Sequence, residues 1–201
     1  MRYETFSEHI GVFDGPGESF CKKMSGWAYE WRRQSPVSNK ASNKDGWQKD
    51  CLGISQFDPV VDMLLNQFAE YMKVYELKES IYARVTKLFL NINPAGASNY
   101  MHHHMNADWS GAFFLQSDPH PGTSGDLHIL NPNRNSFLTT NYNTDYKYHS
   151  IPFSPVVNRG LFFASHLVHY VDLNRSNTDR ISIAYHIDAS PYKISDFKID
   201  F

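Results

Sequence analysis

Residues 99–111 read Asn-Tyr-Met-His-His-His-Met-Asn-Ala-Asp-Trp-Ser-Gly, so three of the ten histidines of the chain stand side by side. Successive side chains of an extended chain point to opposite faces, so His102 and His104 share one face and His103 takes the other. Two imidazoles on one face, joined by a third from elsewhere, favour a site for a first-row transition metal such as Fe(II). A surface patch of histidines is the competing interpretation. We expect this stretch to end a strand and carry metal ligands.

A third ligand is expected in Ser165-His166-Leu167-Val168-His169, which follows an apolar strand ending in Phe162-Phe163-Ala164. His166 and His169 both fit that role. Positions three apart on a strand face opposite sides, so only one of the two can face the site. The residues alone leave this choice open.

Arg180 is the next candidate, because its neighbours Ile181, Ile183 and Ala184 predict a buried strand. A buried guanidinium without a partner is costly, and its fork of donors suits a carboxylate. Ser182 lies on the same face and can add a hydrogen bond. The carboxylate is either that of a ligand or that of a protein residue, Asp172 or Asp179, and the two interpretations weigh alike.

The hydrophobic pattern is helical in the first part of the chain. Phe20, Met24, Trp27 and Trp31 form one helical stripe suited to core packing. Asp58-Pro59, an N-cap acid followed by proline, predicts the start of a second amphipathic helix.

From Tyr82 onward the period is two, and short strands separated by turn signals follow. This order predicts a mainly β fold, a sandwich or jelly roll with flanking helices. We expect one domain over residues 1–201, in which 1–80 supplies a strand and helices and 82–190 forms the core.

Two polar segments read as loops, 35–50 and 131–150, and either can border a site. In the second, Tyr142, Tyr146 and Tyr148 can grip a substrate or simply cover the surface. His186 shares a face with Arg180 and is either near the site or a hydrogen-bonded core histidine.

Composition narrows the function classes. A net charge of −2 favours neither a nucleic-acid partner nor an anionic membrane. No targeting segment and no long apolar run is visible, so we expect a soluble, cytoplasmic protein. Cys21 and Cys51 fit no metal or redox spacing and are expected to be reduced thiols.

Taken together, these residues resemble the 2-oxoglutarate- and Fe(II)-dependent oxygenases, in the branch related to prolyl 4-hydroxylases. The resemblance covers residues 82–187 and rests on ordered motifs: Gly96, His102-x-His104, Ser110-Gly111-Ala112-Phe113-Phe114, Gly125-Asp126-Leu127, Phe163-x-Ser165-x-x-x-His169 and Arg180-Ile181-Ser182-Ile183.

The resemblance implies a double-stranded β-helix, the cupin-like jelly-roll core of that superfamily. It implies catalytic residues His102, His104, His169 and Arg180, and it decides for His169 over His166. The three histidines would bind Fe(II), and Arg180, assisted by Ser182, would bind the far carboxylate of 2-oxoglutarate. Asn91 and Asn93, which share one face of the strand before the site, can also hydrogen-bond this co-substrate, unless they only satisfy a strand edge or a loop.

The implied activity is that of a dioxygenase. An unidentified substrate, either a peptidyl proline or a small molecule, would be hydroxylated by dioxygen with release of succinate and CO2. Two alternatives remain: a three-histidine cupin-type dioxygenase that uses no 2-oxoglutarate, and a non-enzymatic metal-binding jelly-roll module.

One departure from the family pattern concerns the second ligand. The superfamily usually has His-x-Asp or His-x-Glu, whereas alignment on Gly96 puts His104 at the carboxylate position. A three-histidine site would carry one negative charge less. In the alternative register His104 is the first ligand and Asn106 takes the carboxylate position, or Asp108 reaches the metal instead.

Overall fold

The structure of the protein is a computed structural model that describes residues 8–39, 42–77, 79–120, 122–132 and 150–201. Two α-helices, α1 (Glu18–Gln34) and α2 (Asp58–Met72), lie in the first part of the chain. Short 3-10 helices at Ser55–Phe57 and Lys73–Tyr75 flank α2. The strands are β1 (Gly11–Asp14), β2 (Asn43–Lys44), β3 (Trp47–Asp50), β4 (Ile81–Asn93), β5 (Ser98–His102), β6 (Trp109–Gln116), β7 (Leu127–Leu130), β8 (Ser150–Phe153), β9 (Arg159–Ala164), β10 (His169–Val171), β11 (Arg180–Ser190) and β12 (Lys198–Ile199).

The strands form two antiparallel sheets. The larger has the order β1-β9-β6-β11-β4-β12, with β3 also paired to β4, and the smaller has the order β2-β5-β10-β7-β8. The predicted mainly β jelly-roll core with flanking helices is confirmed. Strands from the N-terminal segment pair with core strands in both sheets, so residues 1–80 do more than cover the core.

The main apolar core lies between the helices and the larger sheet. Alternate residues of β4, Leu88, Leu90 and Ile92, are fully buried there. Phe68 of α2 is also fully buried, and its ring lies 5.9 Å from that of Trp109 and 5.6 Å from that of Phe162. The apolar face of β4 and the apolar face of α2 thus belong to one core layer.

A second apolar cluster fills part of the space between the sheets, including Phe114, Ile129 and Phe163. The opposite faces of β4 and β11 border this space with polar residues, and a cavity opens there. The larger sheet therefore has an apolar face towards the helices and a partly polar face towards the cavity.

The prediction of a loop over residues 35–50 was wrong in part. Trp47 is buried and donates its indole N–H to the Ser35 carbonyl at 2.8 Å, and β3 pairs with Trp47↔Ile92 and Gln48↔Asn91 in register. Nonlocal pairing with β4 overrides the polar local composition.

Other boundaries also differ from the sequence prediction. Asp58 is the first residue of α2, and Phe57, which has no side chain that can cap the helix, takes the N-cap position. The apolar strand predicted to end at Ala164 begins at Arg159, directly after Asn158, which has a positive φ of 68°. The loop predicted at 131–150, with its three tyrosines, falls at 133–149 outside the described residues.

The outer edge of β4 is shared between two short strands. β12 pairs with Ile81 and Tyr82 at one end, and β3 pairs with residues 89–92 at the other. Within the described part of the chain, no helix is long and apolar enough to cross a membrane.

Candidate metal centre

The smaller sheet brings His102 and His169 together as direct partners across β5 and β10. His104 follows the end of β5, where its backbone N–H donates to the Ser165 carbonyl at 2.9 Å. The possible ligand atoms of the three side chains all lie within 4.8 Å of one another. The residues singled out in the sequence thus form one cluster, on a strand pair that fixes two of them.

Hydrogen bonds set the tautomers of two of these imidazoles. Nδ1 of His102 lies 2.7 Å from the Tyr100 carbonyl, and Nδ1 of His169 lies 2.9 Å from the Leu167 carbonyl. A carbonyl only accepts, so each Nδ1 carries the proton and each Nε2 keeps a free lone pair. This is the arrangement that prepares histidines for a metal.

Burial keeps these imidazoles neutral. It lowers the pKa of His104 to about 3, with further lowering by the nearby His186, His169 and His102. It lowers the pKa of His169 to about 4 and moves the pKa of His102 in the same direction. Near neutral pH protons therefore compete little with a cation for this cluster.

The competing ligand candidates lie elsewhere. His103 is exposed, and His166 is half-exposed with its Nε2 2.9 Å from the Glu8 carboxylate. Asn106 is exposed, and Asp108 uses its carboxylate to accept the Ala189 backbone N–H at 2.9 Å. Among the described residues, none of His103, His166 and Asp108 belongs to the cluster.

A fourth imidazole, His186 on β11, borders the cluster, with its ring centre 4.2 Å from that of His104. Burial, together with the charge of Lys87, lowers its pKa to about 4. The sequence left it open whether His186 is near the site. Its alternation with Arg180 and Ser182 was the signal that puts it on the cavity face.

Arg180 is 2% exposed and donates from Nη1 to the Ser182 hydroxyl at 3.1 Å. Its guanidinium lies 5.2 Å from the centre of the Phe114 ring, and its Nε has no partner among the described residues. Burial lowers the Arg180 pKa to about 10, against a weaker opposing effect of Asp126. The guanidinium therefore stays charged near neutral pH.

The protein carboxylates proposed as partners of Arg180 are engaged elsewhere. Asp172 pairs with Arg175 at 3.1 Å, and Asp179 lies 3.7 Å from Arg32. No carboxylate of the described residues forms an ion pair with Arg180. The arginine thus presents unsatisfied donors that suit an anionic ligand.

A cavity of about 450 Å³ connects the histidine cluster with Arg180 and Ser182. Its lining also includes Asn91, as the strand alternation allowed, and Gln48, which no pattern in the sequence singled out. Asn93 is buried beside Arg180 in register, but it donates to Asn99 at 3.2 Å and does not line the cavity. A cation bound by the histidines and an anion bound by Arg180 would therefore lie in the same cavity.

The sequence around this site also matches a known protein family. Residues 87–186 match the model of a 2OG-Fe(II) oxygenase family. No curated protein sequence matches the chain.

Solved structures share the fold. A prolyl-4-hydroxylase of Pseudomonas putida matches with a TM-score of 0.62 and 11% identity, over 90% of this chain and 94% of that one. SnoN, an α-ketoglutarate-dependent epimerase from nogalamycin biosynthesis, gives 0.65 and 12%, over 90% and 80%. A Trichoplax adhaerens prolyl hydroxylase bound to a hypoxia-inducible-factor peptide gives 0.59 and 13%, over 88% and 83%.

Proposed function

The chain belongs to the 2-oxoglutarate- and Fe(II)-dependent oxygenase superfamily, and on that premise we propose that it hydroxylates a C–H bond of a substrate bound in the cavity. We assign the metal to His102, His104 and His169, and the far carboxylate of 2-oxoglutarate to Arg180 with Ser182. The family implies Fe(II) and 2-oxoglutarate.

The observation that carries the proposal is the buried, unpaired Arg180 in the same cavity as the histidine cluster. A structural arginine would have a protein carboxylate, and this one does not among the described residues. A dicarboxylate that reaches from the metal to the guanidinium would satisfy it. This favours a reaction that uses 2-oxoglutarate over one that does not.

The chain's own residues bind and orient the reactants. Three neutral imidazoles leave the full positive charge of a divalent cation in place, which strengthens the attraction for a dianionic co-substrate. Arg180 and Ser182 fix its far end, and the apolar walls at Phe163 and Ala112 limit access of water. Bound Fe(II) supplies dioxygen activation, coupled to oxidation of 2-oxoglutarate to succinate and CO2.

The co-substrate assignment is tested by adding Fe(II) and 2-oxoglutarate anaerobically and recording the visible charge-transfer band. We expect the band in the native protein and its loss in Arg180→Ala. Arg175→Ala is the matched control, because Arg175 is half-exposed and pairs with Asp172 outside the cavity. A band of native strength in Arg180→Ala would refute the assignment.

The ligand assignment is tested by metal content. His102→Ala, His104→Ala and His169→Ala should each lose most of the bound Fe(II), measured by equilibrium dialysis. The exposed neighbours His103→Ala and Asn106→Ala should retain it. Full occupancy in His102→Ala together with loss in both His104→Ala and Asn106→Ala would establish the other register.

A second candidate is a three-histidine dioxygenase that needs no 2-oxoglutarate. The absence of a carboxylate from the histidine cluster among the described residues favours it. It predicts that Arg180→Ala leaves oxygen consumption unchanged. Because prolyl hydroxylases are among the structural neighbours, a peptidyl proline remains a candidate substrate alongside small molecules.

A further inference from the structure

Gln48 lies on the cavity wall, outside the segment that matches the family model. It sits in a cross-strand row with Asn91 of β4 and Ser182 of β11. Its backbone is fixed on the other side as well, since its N–H donates to the Ser38 hydroxyl and its carbonyl accepts from the Asn39 N–H. Gln48 is 6% exposed.

A chain of hydrogen bonds determines which way the Gln48 amide faces. The Asn91 side chain donates from Nδ2 to the Phe89 carbonyl at 3.0 Å, so its Oδ1 faces Gln48. That oxygen accepts from Gln48 Nε2 at 2.8 Å. Because a carbonyl cannot donate, neither amide can be turned over without losing a bond.

The remaining atom, Gln48 Oε1, is buried and has no donor among the described residues. A buried acceptor without a donor is unfavourable, so its persistence in a side chain that lines the cavity points to a donor that arrives with a ligand. The co-substrate cannot supply it. Both carboxylates and the keto group of 2-oxoglutarate offer only acceptors at neutral pH.

We propose that Gln48 recognises the primary substrate, by accepting a hydrogen bond from an N–H or O–H group of the molecule that is oxidised. This inference rests on the proposed function and narrows its substrate class to donor-bearing molecules. A proline within a peptide has no N–H of its own. A peptidyl substrate would therefore present the amide of a neighbouring residue to Gln48.

The test uses matched small probes on the full chain loaded with Mn(II) and 2-oxoglutarate. N-Methylacetamide is compared with N,N-dimethylacetamide, and 2-methoxyethanol with 1,2-dimethoxyethane. Mn(II) accelerates the relaxation of methyl protons of a probe held beside it, and a Zn(II)-loaded sample supplies the diamagnetic reference. The amide pair and the hydroxyl pair distinguish an N–H from an O–H donor.

We expect a preference of about five-fold for the donor member of at least one pair, the value of one neutral hydrogen bond. Gln48→Met, similar in length but without a strong acceptor, should lose that preference. Gln56→Met is the matched control, because Gln56 is exposed and outside the cavity.

Equal or absent enhancement for both members of both pairs in the native protein would overturn the inference, as would a preference that survives in Gln48→Met. The native comparison decides even if Gln48→Met does not fold. Relaxation of solvent water first reports whether Mn(II) and 2-oxoglutarate bind. A failure at that step refutes the proposed function itself, whereas loss of probe preference alone leaves the metal and co-substrate assignments standing.

Discussion

Towards the helices β4 presents Leu88 and Leu90, whereas towards the facing sheet the same strand presents Phe89 and Asn91. On the helix side the buried side chains form one apolar cluster. On the cavity side buried polar atoms, such as Arg180 Nε and Gln48 Oε1, lack partners among the described residues. The helix side stabilises the fold, whereas the cavity side keeps binding groups away from water, which lowers stability.

The largest expected effect falls on the helix face. Phe68→Ala removes a fully buried ring from contact with Trp109 and Phe162, and should lower the free energy of unfolding by about 3–5 kcal/mol. Urea unfolding measures this. Val74→Ala, at a half-exposed valine, should change stability by less than about 0.5 kcal/mol. If Phe68→Ala abolished metal binding while still folded, the separation of the two faces would fail.

The next effect concerns acid on the cavity face of the metal-free protein. An unfolded histidine has a pKa of 6.5, whereas that of His169 is about 4 in the fold. Well above pH 6.5 His169 is neutral in both states, so its contribution to the free energy of unfolding does not change with pH. As the pH falls from 6.5 towards 4, only the unfolded state takes up protons, so stability decreases.

Between pH 7 and about pH 5 this should cost about 2 kcal/mol for His169 alone. Unfolding at several pH values, after chelation of metal, measures the slope. His169→Ala should flatten the curve, and the half-exposed His166→Ala should not. A curve with the same slope in His169→Ala would show that other groups cause the acid sensitivity.

The smallest effect is a gain in stability. Arg180→Met replaces a buried, unpaired cation by an apolar side chain and should stabilise the ligand-free protein by on the order of 1 kcal/mol. With 2-oxoglutarate and metal present the order should reverse, because only the native protein gains ligand stabilisation. Thermal unfolding with and without 2-oxoglutarate compares the two. Destabilisation in the ligand-free state would mean that Arg180 is structural.

Local patterns predicted much of the fold because their signals are strong. The alternation in β4, β6 and β11 and the apolar stripes of α1 and α2 all correspond to observed elements. β3 was missed, since its four residues are mostly polar and its partner lies about forty residues away in sequence. Pairing between distant segments leaves little trace in either segment alone.

The candidate site divides in the same way. His102, His104, Arg180 and Ser182 were singled out because imidazole spacing and a charge in an apolar strand are local features, whereas the choice of His169 over His166 came from the family resemblance. Gln48 was not, because its meaning depends on where Asn91 and Phe89 direct their hydrogen bonds. The role of Asp108 likewise depends on Ala189, which is distant in sequence but adjacent in space.

The shared outer edge of β4 has a consequence for solubility during folding. A long strand with an uncovered edge is a template for pairing with other chains, and β3 and β12 each cover one end of it. β3, the strand that carries Gln48, thus also prevents intermolecular β-pairing at this edge. Substitutions that loosen β3, for example at Trp47, should produce aggregation in refolding experiments before any loss of native secondary structure is detected.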